Sequence, residues 1–328
     1  MTKYILIILL TLFGLNSYCQ QGDSLIKVTE KLYMITGYGG NVTFLVTNEG
    51  VLVVDAGTVK RDGEKIENHI KAVTDKPIKY IILTHYHYDH AYGACGFLGN
   101  PVLIGHKKII TNLTRFGKSF LDMYIQNLEI EITSLKTKMD SLKAINNDDS
   151  RAMENEYNSQ LEQLKSANET TILFPDITFN DELTIYLDTD TIRLIYPGKT
   201  HTDCNILVEF TNQNVLSTGD FFFNHCMPYI DFNANCDTKN WIKQINIYSD
   251  KGYDYIIPGH GNFAGVEDLF EQGKYLSELR EEIKTRIDNN EPLEEIQTKI
   301  KMNDYRDYEF QFMLSSEIEA IFKELTER

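Results

Sequence analysis

Six consecutive residues, His85-Tyr86-His87-Tyr88-Asp89-His90, constrain this chain more than any other segment. They set four potential metal ligands directly after Tyr80-Ile81-Ile82-Leu83-Thr84, an apolar run that reads as a buried strand. Imidazoles and a carboxylate are a costly way to close an apolar core. They are an effective way to hold a borderline cation such as zinc. Alternate residues of an extended segment point the same way, so His85 and His87 can reach one ion. Asp89 and His90 follow where the chain turns into a loop or helix, and can face a second ion.

Two ions need more than four protein ligands, and the chain has only eight histidines. His201 sits in Pro197-Gly198-Lys199-Thr200-His201-Thr202, after the strand-like Ile192 to Tyr196. Asp220 ends Val215-Leu216-Ser217-Thr218-Gly219. His260 sits in Pro258-Gly259-His260-Gly261, after Tyr255-Ile256-Ile257. Each occupies a loop after an apolar strand, where a rigid scaffold carries its functional groups. His69 reads as exposed on a charged helix and His106 as capping or starting a helix. His225, five residues past Asp220, reads as a residue lining the site.

The order HxHxDH, Gly-x-x-His-Thr, Thr-Gly-Asp and Pro-Gly-His-Gly resembles the metallo-β-lactamase-fold hydrolases over Ile26 to Gly265, apart from one insertion. Val51-Leu52-Val53-Val54-Asp55-Ala56-Gly57 is similar to that family's early strand. The resemblance implies an α/β fold, a four-layer αββα sandwich. It implies two zinc ions, with iron and manganese also suited to these ligands. His85, His87 and His201 would hold the first ion and Asp89, His90 and His260 the second. Asp220 would bridge them, Asp55 would support the HxHxDH loop from behind, and Asp89 would be catalytic. A water or hydroxide between the ions would be the nucleophile, which agrees with the lowered pKa of metal-bound water.

The N-terminus reads as a signal peptide over residues 1–19. Lys3 precedes the apolar stretch Tyr4 to Phe13, which is too short to span a bilayer, and Ser17-Tyr18-Cys19 offers a cut before Gln20. Export to the periplasm or beyond is expected. A lipid anchor through Cys19 is the weaker reading, because Tyr18 is not small. Cleavage removes Lys3 and no acid, which takes the net charge from −16 to −17. That balance excludes nucleic acid as a partner, since phosphate-binding surfaces need clustered Lys and Arg. No other segment is long and apolar enough to cross a membrane. Cys95, Cys204, Cys226 and Cys236 remain, with small buried side chains favoured over an undefined disulfide pairing.

Strand and helix patterns alternate. Strands are expected at Leu32 to Thr36, Val42 to Thr47, Val51 to Asp55, Lys79 to Thr84 and Pro101 to Gly105. In the second half they are expected at Thr184 to Leu187, Ile192 to Tyr196, Ile206 to Phe210, Val215 to Thr218 and Tyr255 to Pro258. Helices are expected at Arg61 to Val73 and Thr238 to Tyr248. Periodicity alone gives only mixed α/β; the sandwich comes from the resemblance. The catalytic domain is expected over residues 20–265.

Within it, Leu121, Ile125, Leu128, Ile132, Leu135, Met139 and Leu142 form a heptad seam. Asn146 to Ser150 breaks it, and Met153, Tyr157, Leu161 and Leu164 form a second stripe. This reads as an inserted helical hairpin over residues 118–169. Burial of one stripe against the other is preferred over a lid or an arm for self-association. Residues 266–328 read as a helical C-terminal extension packed on the core.

A small-molecule substrate is expected, with Phe223, His225 and Tyr229 as candidate pocket residues. The best-known β-lactamase subclass carries Cys where Asp220 stands here. An Asp there is typical of the glyoxalase II-like, lactonase-like and phosphodiesterase-like branches. The lactonase branch carries Tyr three residues after this Asp, where this chain has Phe223, and glyoxalase II works in the cytosol. The expected activity is cleavage of an ester, lactone, thioester or related bond. β-Lactam hydrolysis is the first alternative. An iron-dependent oxidoreductase such as a sulfur dioxygenase is the second, since ligand type separates iron from zinc poorly.

Overall fold

The computed structural model describes residues 23–144 and 150–327. The signal peptide expected over residues 1–19 and the Asn146–Asp149 part of the helix break lie outside the described residues.

The first sheet runs in chain order through β1 (Ser24–Lys27), β2 (Leu32–Thr36), β3 (Val42–Val46), β4 (Val51–Val54), β5 (Ile78–Leu83), β6 (Val102–His106) and β7 (Ile177–Phe179). The pairings from β1 to β4 are antiparallel and those from β4 to β7 parallel. The second sheet contains β8 (Glu182–Leu187), β9 (Asp190–Ile195), β10 (Leu207–Phe210), β11 (Val215–Ser217) and β12 (Tyr255–Ile257), in the spatial order β12-β11-β10-β9-β8. Only β11 and β12 pair in parallel. The helices are α1 (Lys60–Val73), α2 (Tyr88–Ala91), α3 (Lys108–Asn112), α4 (Lys118–Ala144), α5 (Ser150–Glu169), α6 (Thr238–Ser249), α7 (Val266–Asp288), α8 (Leu293–Lys299) and α9 (Leu314–Glu327).

The unbroken apolar strands follow from burial on both faces. In β4, Leu52 and Val54 point to the second sheet, where they meet Ile192, Leu194, Val208 and Phe210. Val51 and Val53 point the other way, toward Ile66 and Ile70 of α1. In the second sheet, Val208 and Phe210 face inward. Leu207, Leu216 and Ile256 face outward onto Trp241 and Ile245 of α6 and Leu269 and Leu276 of α7. Period-two alternation thus builds four layers, helix–sheet–sheet–helix. Cys204, Cys226 and Cys236 are buried among the core side chains.

The expected strands appear within one or two residues, and β1 and β7 are additional. His106 neither caps nor starts a helix. It ends β6, buried, with its ring stacked on Tyr196 at 4.0 Å. The heptad seam forms α4, which packs along α5, with Leu128, Ile132 and Met139 buried. Leu161 lies at the edge of the seam and stays exposed. The hairpin base is anchored on α1 by the Arg61 amide, which donates to Ser166 Oγ at 2.8 Å, and α5 is tied to α4 by Gln163 Nε2, which donates to the Tyr124 hydroxyl at 3.1 Å.

The C-terminal helices cover the second sheet. Arg280 Nη1 donates to Thr238 Oγ1 at 2.6 Å and to Glu324 Oε1 at 2.9 Å, tying α7 to α6 and α9. Glu317 of α9 is buried and accepts a short hydrogen bond from the Tyr275 hydroxyl, while its Oε1 has no partner. Burial pushes its carboxyl up to about 8, with Tyr275 pulling the other way. At neutral pH the folded chain therefore holds a proton here that the unfolded chain has lost. This contribution to stability is complete below the unfolded value near 4.5 and is lost as pH rises to about 8. Chemical denaturation across that window should show stability falling by several kcal/mol, at about 1.4 kcal/mol for each step of one in pH. Glu317→Gln should flatten this slope, and an equally steep slope in that variant would show that Glu317 is not its source.

Candidate metal centre

All the expected ligands converge at one edge of the sandwich. Asp55 follows β4, the HxHxDH segment follows β5, His201 follows β9, Asp220 follows β11 and His260 follows β12. The two sheets are joined there by backbone bonds. The Ile206 amide donates to the Thr84 carbonyl at 3.0 Å, and the Asn41 amide to the Gly259 carbonyl at 2.7 Å. Two glycines let the backbone come this close. A Cβ on Gly40 would lie 2.2 Å from the His90 ring, and one on Gly259 would lie 2.1 Å from Asp220 Oδ1.

The seven side chains fall into two groups, His85, His87, His201 and Asp220 beside Asp89, His90 and His260. In the first, His87 Nδ1 lies 2.9 Å from His85 Nε2 and 3.1 Å from His201 Nε2. Asp220 Oδ2 lies 3.6 Å from His85 Nε2 and 3.5 Å from His201 Nε2. In the second, His260 Nε2 lies 3.4 Å from His90 Nε2 and 3.3 Å from Asp89 Oδ2. Asp220 Oδ1 lies 3.0 Å from His90 Nε2 and 3.4 Å from His260 Nε2. Asp220 thus turns one oxygen to each group.

The five spacings of 3.3–3.6 Å suit metal better than hydrogen bonding. With zinc–nitrogen bonds of about 2.0–2.1 Å, tetrahedral ligand atoms sit roughly 3.3–3.4 Å apart. The outward ring nitrogens of four histidines have other partners. His90 Nδ1 donates to Asp55 Oδ2 at 2.8 Å, and His87 Nε2 to Asp231 Oδ2 at 3.0 Å. His201 Nδ1 donates to the Tyr229 carbonyl at 2.6 Å. Thr84 Oγ1 donates to Asp55 Oδ2 at 2.9 Å, so it accepts from His85 Nδ1 at 3.0 Å. The inner nitrogens of His85, His87 and His201 then present lone pairs to one another and to Asp220 Oδ2, which is repulsive without a cation. Asp220 Oδ1 is fully buried between the His90 and His260 nitrogens with no well-aligned hydrogen bond. The donor set fits two divalent ions.

Electrostatics agrees. Burial holds His85 well below the ordinary imidazole range, and holds His201 down to about 4, so both are neutral ligands. Burial also opposes charge on His90, but Asp220, Asp89 and Asp55 outweigh it and hold His90 well above its ordinary value. Burial opposes charge on Asp220, yet His90, His260 and His85 pull its carboxyl well below the usual range. A proton on His90 thus occupies the place of an ion, and metal binding here must release it.

Asp231 is a site residue that no sequence motif marks. It is buried between His87 and Tyr86, whose hydroxyl donates to it in a short hydrogen bond. It fixes the His87 tautomer so that Nδ1 faces the other ligands. Thr84 and the Tyr229 carbonyl act in the same way on His85 and His201. Of the candidate pocket residues, Tyr229 sets its ring 5.5 Å from that of His87. His225 is exposed and lines a cleft beside His260. Phe223 does not line that cleft: it is buried in the core, stacked on the His260 ring at 5.1 Å. The hairpin reaches the site, with Phe120 of α4 placed 6.1 Å from the His87 ring.

The family model described as "Metallo-beta-lactamase superfamily" matches residues 35–260. The chain is 23% identical over 230 residues to the linear primary-alkylsulfatase of Pseudomonas sp. (strain ATCC 19151), covering 68% of this chain and 42% of that protein. It is 22% identical over 273 residues to the metallo-beta-lactamase type 2 of Elizabethkingia meningoseptica, covering 80% of this chain and 88% of that protein. Among solved structures, the inverting sec-alkylsulfatase Pisa1 from Pseudomonas sp. matches with a TM-score of 0.66 at 16% identity, over 93% of this chain and 50% of that one. A metallo-beta-lactamase from Pontibacter korlensis matches with a TM-score of 0.55 at 17% identity, over 78% of this chain and 99% of that one. The chain spans about half the length of the alkylsulfatases it matches. Likeness at these identities establishes the fold, not the substrate.

Proposed function

The chain belongs to the metallo-beta-lactamase superfamily, and from that membership and its seven-residue cluster we infer an exported binuclear zinc hydrolase acting on an ester, lactone, thioester or related bond of a small molecule. The observation that carries this reading is the division of Asp220 between two ligand groups. Two zinc ions held there would supply water of lowered pKa and polarise the oxygen of the scissile bond. His85, His87, His201 and Asp220 would hold one ion, and Asp89, His90, His260 and Asp220 the other. Asp55, Thr84, Asp231 and the Tyr229 carbonyl keep the imidazoles in the required tautomers. Burial of His85, His90 and His201 keeps bulk water from competing for them. Asp89 has the most solvent contact of the seven, with a side chain 17% exposed. Burial works against its charge, but His90 and His260 hold its carboxyl below the usual range. It therefore stays ionised, as the ligand nearest solvent.

Two other substrates have specific support. The Elizabethkingia relative favours a β-lactam, and the Pisa1 match over 93% of this chain favours a sulfate ester. Against the lactam stands the hard, anionic Asp220 oxygen, where a soft thiolate is expected of the best-known lactamases. A panel of matched aryl ester, lactone, thioester, chromogenic cephalosporin and alkyl sulfate decides. The largest kcat/KM is expected on a carboxylic ester or lactone. A cephalosporin or sulfate value above all the others would replace this substrate class.

Export rests on the apolar stretch after Lys3. Mass spectrometry of protein from its native host should find an N-terminus near Gln20. Cytosolic protein that keeps Met1 would rule export out.

A further inference from the structure

A cleft of about 150 Å³ opens beside His260, the ligand shared between the metal cluster and the outer wall. Asn41, Asn224 and His225 line it, and so do two carboxylates, Asp307 and Glu309. No Lys or Arg is among the described residues that line it. The two acids belong to the C-terminal extension, far in sequence from every ligand motif. The Glu309 amide donates to the His225 carbonyl at 2.8 Å, and the Met227 amide donates to the Glu309 carbonyl at 3.0 Å. The next residue, Phe310, is buried with its ring 5.9 Å from that of His260. The backbone at 309–310 is thus fixed against the site, while the side chains of Asp307 and Glu309 remain exposed at the cleft.

We propose that this cleft receives the part of the substrate remote from the scissile bond, and that Asp307 and Glu309 make it select a cationic group, such as a quaternary ammonium, over an anionic one. The proposal rests on the hydrolase reading for its orientation, since His260 both lines the cleft and belongs to the ligand cluster. Two exposed carboxylates, with no Lys or Arg among the described residues that line the cleft, attract positive charge and repel negative charge. At a solvent-open site this is worth about tenfold in each direction and shrinks at high salt. The lining amides of Asn41 and Asn224 tolerate either charge, so the discrimination comes from the two acids.

Three matched acids test it: γ-trimethylammoniobutyrate, its tert-butyl isostere and the corresponding sulfonate, each also made as its p-nitrophenyl ester. Calorimetric titration of the zinc-loaded protein should rank the acids cation first, neutral second and sulfonate last, with about tenfold between neighbours at low salt. The esters should follow the same rank in kcat/KM. The double variant Asp307→Asn, Glu309→Gln keeps the size of both side chains and should bring the cation-to-sulfonate ratio close to one. Equal ratios in the two proteins, or a sulfonate that binds best in the wild type, would overturn the proposal. Ester turnover without charge selection would leave the hydrolase reading standing and this one refuted. Charge selection among the acids with no ester turnover would do the reverse.

Discussion

Asp220→Ala should lower kcat/KM by about three orders of magnitude or more on any accepted substrate, because it removes the one side chain both ligand groups share. Asp220 Oδ2 lies within 3.6 Å of two nitrogens of one group and Oδ1 within 3.4 Å of two nitrogens of the other. Electrostatic stabilisation by bound metal is worth several kcal/mol, and each 1.36 kcal/mol is about tenfold in rate. The carboxylate lies among histidines and, without metal, pairs with the protonated His90. Its loss breaks that buried pair, which costs about 3–5 kcal/mol in the metal-free protein. Bound zinc should fall from two equivalents to one or fewer. A variant with two tightly bound ions and near-normal turnover would contradict the bridging role.

Asp55→Ala should have the second-largest effect, and on stability as well as rate. Asp55 accepts from the Thr84 amide at 2.8 Å, from Thr84 Oγ1 at 2.9 Å and from His90 Nδ1 at 2.8 Å. It is buried, so its removal leaves three buried donors without acceptors. Breaking a buried, hydrogen-bonded charge pair costs about 3–5 kcal/mol. His90 also loses the contact that fixes its ring, and such partners are worth about 10–100-fold in metal affinity or activity. Asp55→Asn separates the two effects. It keeps one acceptor oxygen and the side-chain volume, so it should recover part of the stability and little of the activity. Denaturation midpoints beside zinc affinities measure both. An Ala variant as stable as wild type would show that the Thr84 and His90 donors find other partners.

What could be read from the sequence follows physical range. The HxHxDH cluster was legible because four ligands lie within six residues and strand periodicity aims two of them together. His201, Asp220 and His260 were legible because each ends an apolar strand in a chain with few histidines. The hairpin announced itself through a seven-residue repeat that a long helix must bury. Asp231 was not legible. Tyr-Ile-Asp-Phe carries no spacing signal, and its role exists only because the fold brings it to Tyr86 and His87 across 145 and 144 residues. The acidic wall of the cleft was hidden for the same reason. It depends on an isolated bridge between Cys226 and Glu309, too short to leave a pattern. Strand β7 spans three residues, with Ile177 and Thr178 exposed, which is below what alternation can reveal. Phe223 was read as a pocket residue from its place after Asp220. The turn there directs it under His260 instead, where it supports the ligand from the core side.

The central claim is that the seven residues form one two-ion site bridged by Asp220. Anomalous X-ray diffraction from zinc-loaded crystals, recorded on both sides of the zinc absorption edge, tests it most directly. Two strong peaks are expected, one among His85, His87, His201 and Asp220 and one among Asp89, His90, His260 and Asp220. A single peak, or peaks away from these side chains with the cluster empty at saturating zinc, would contradict the account.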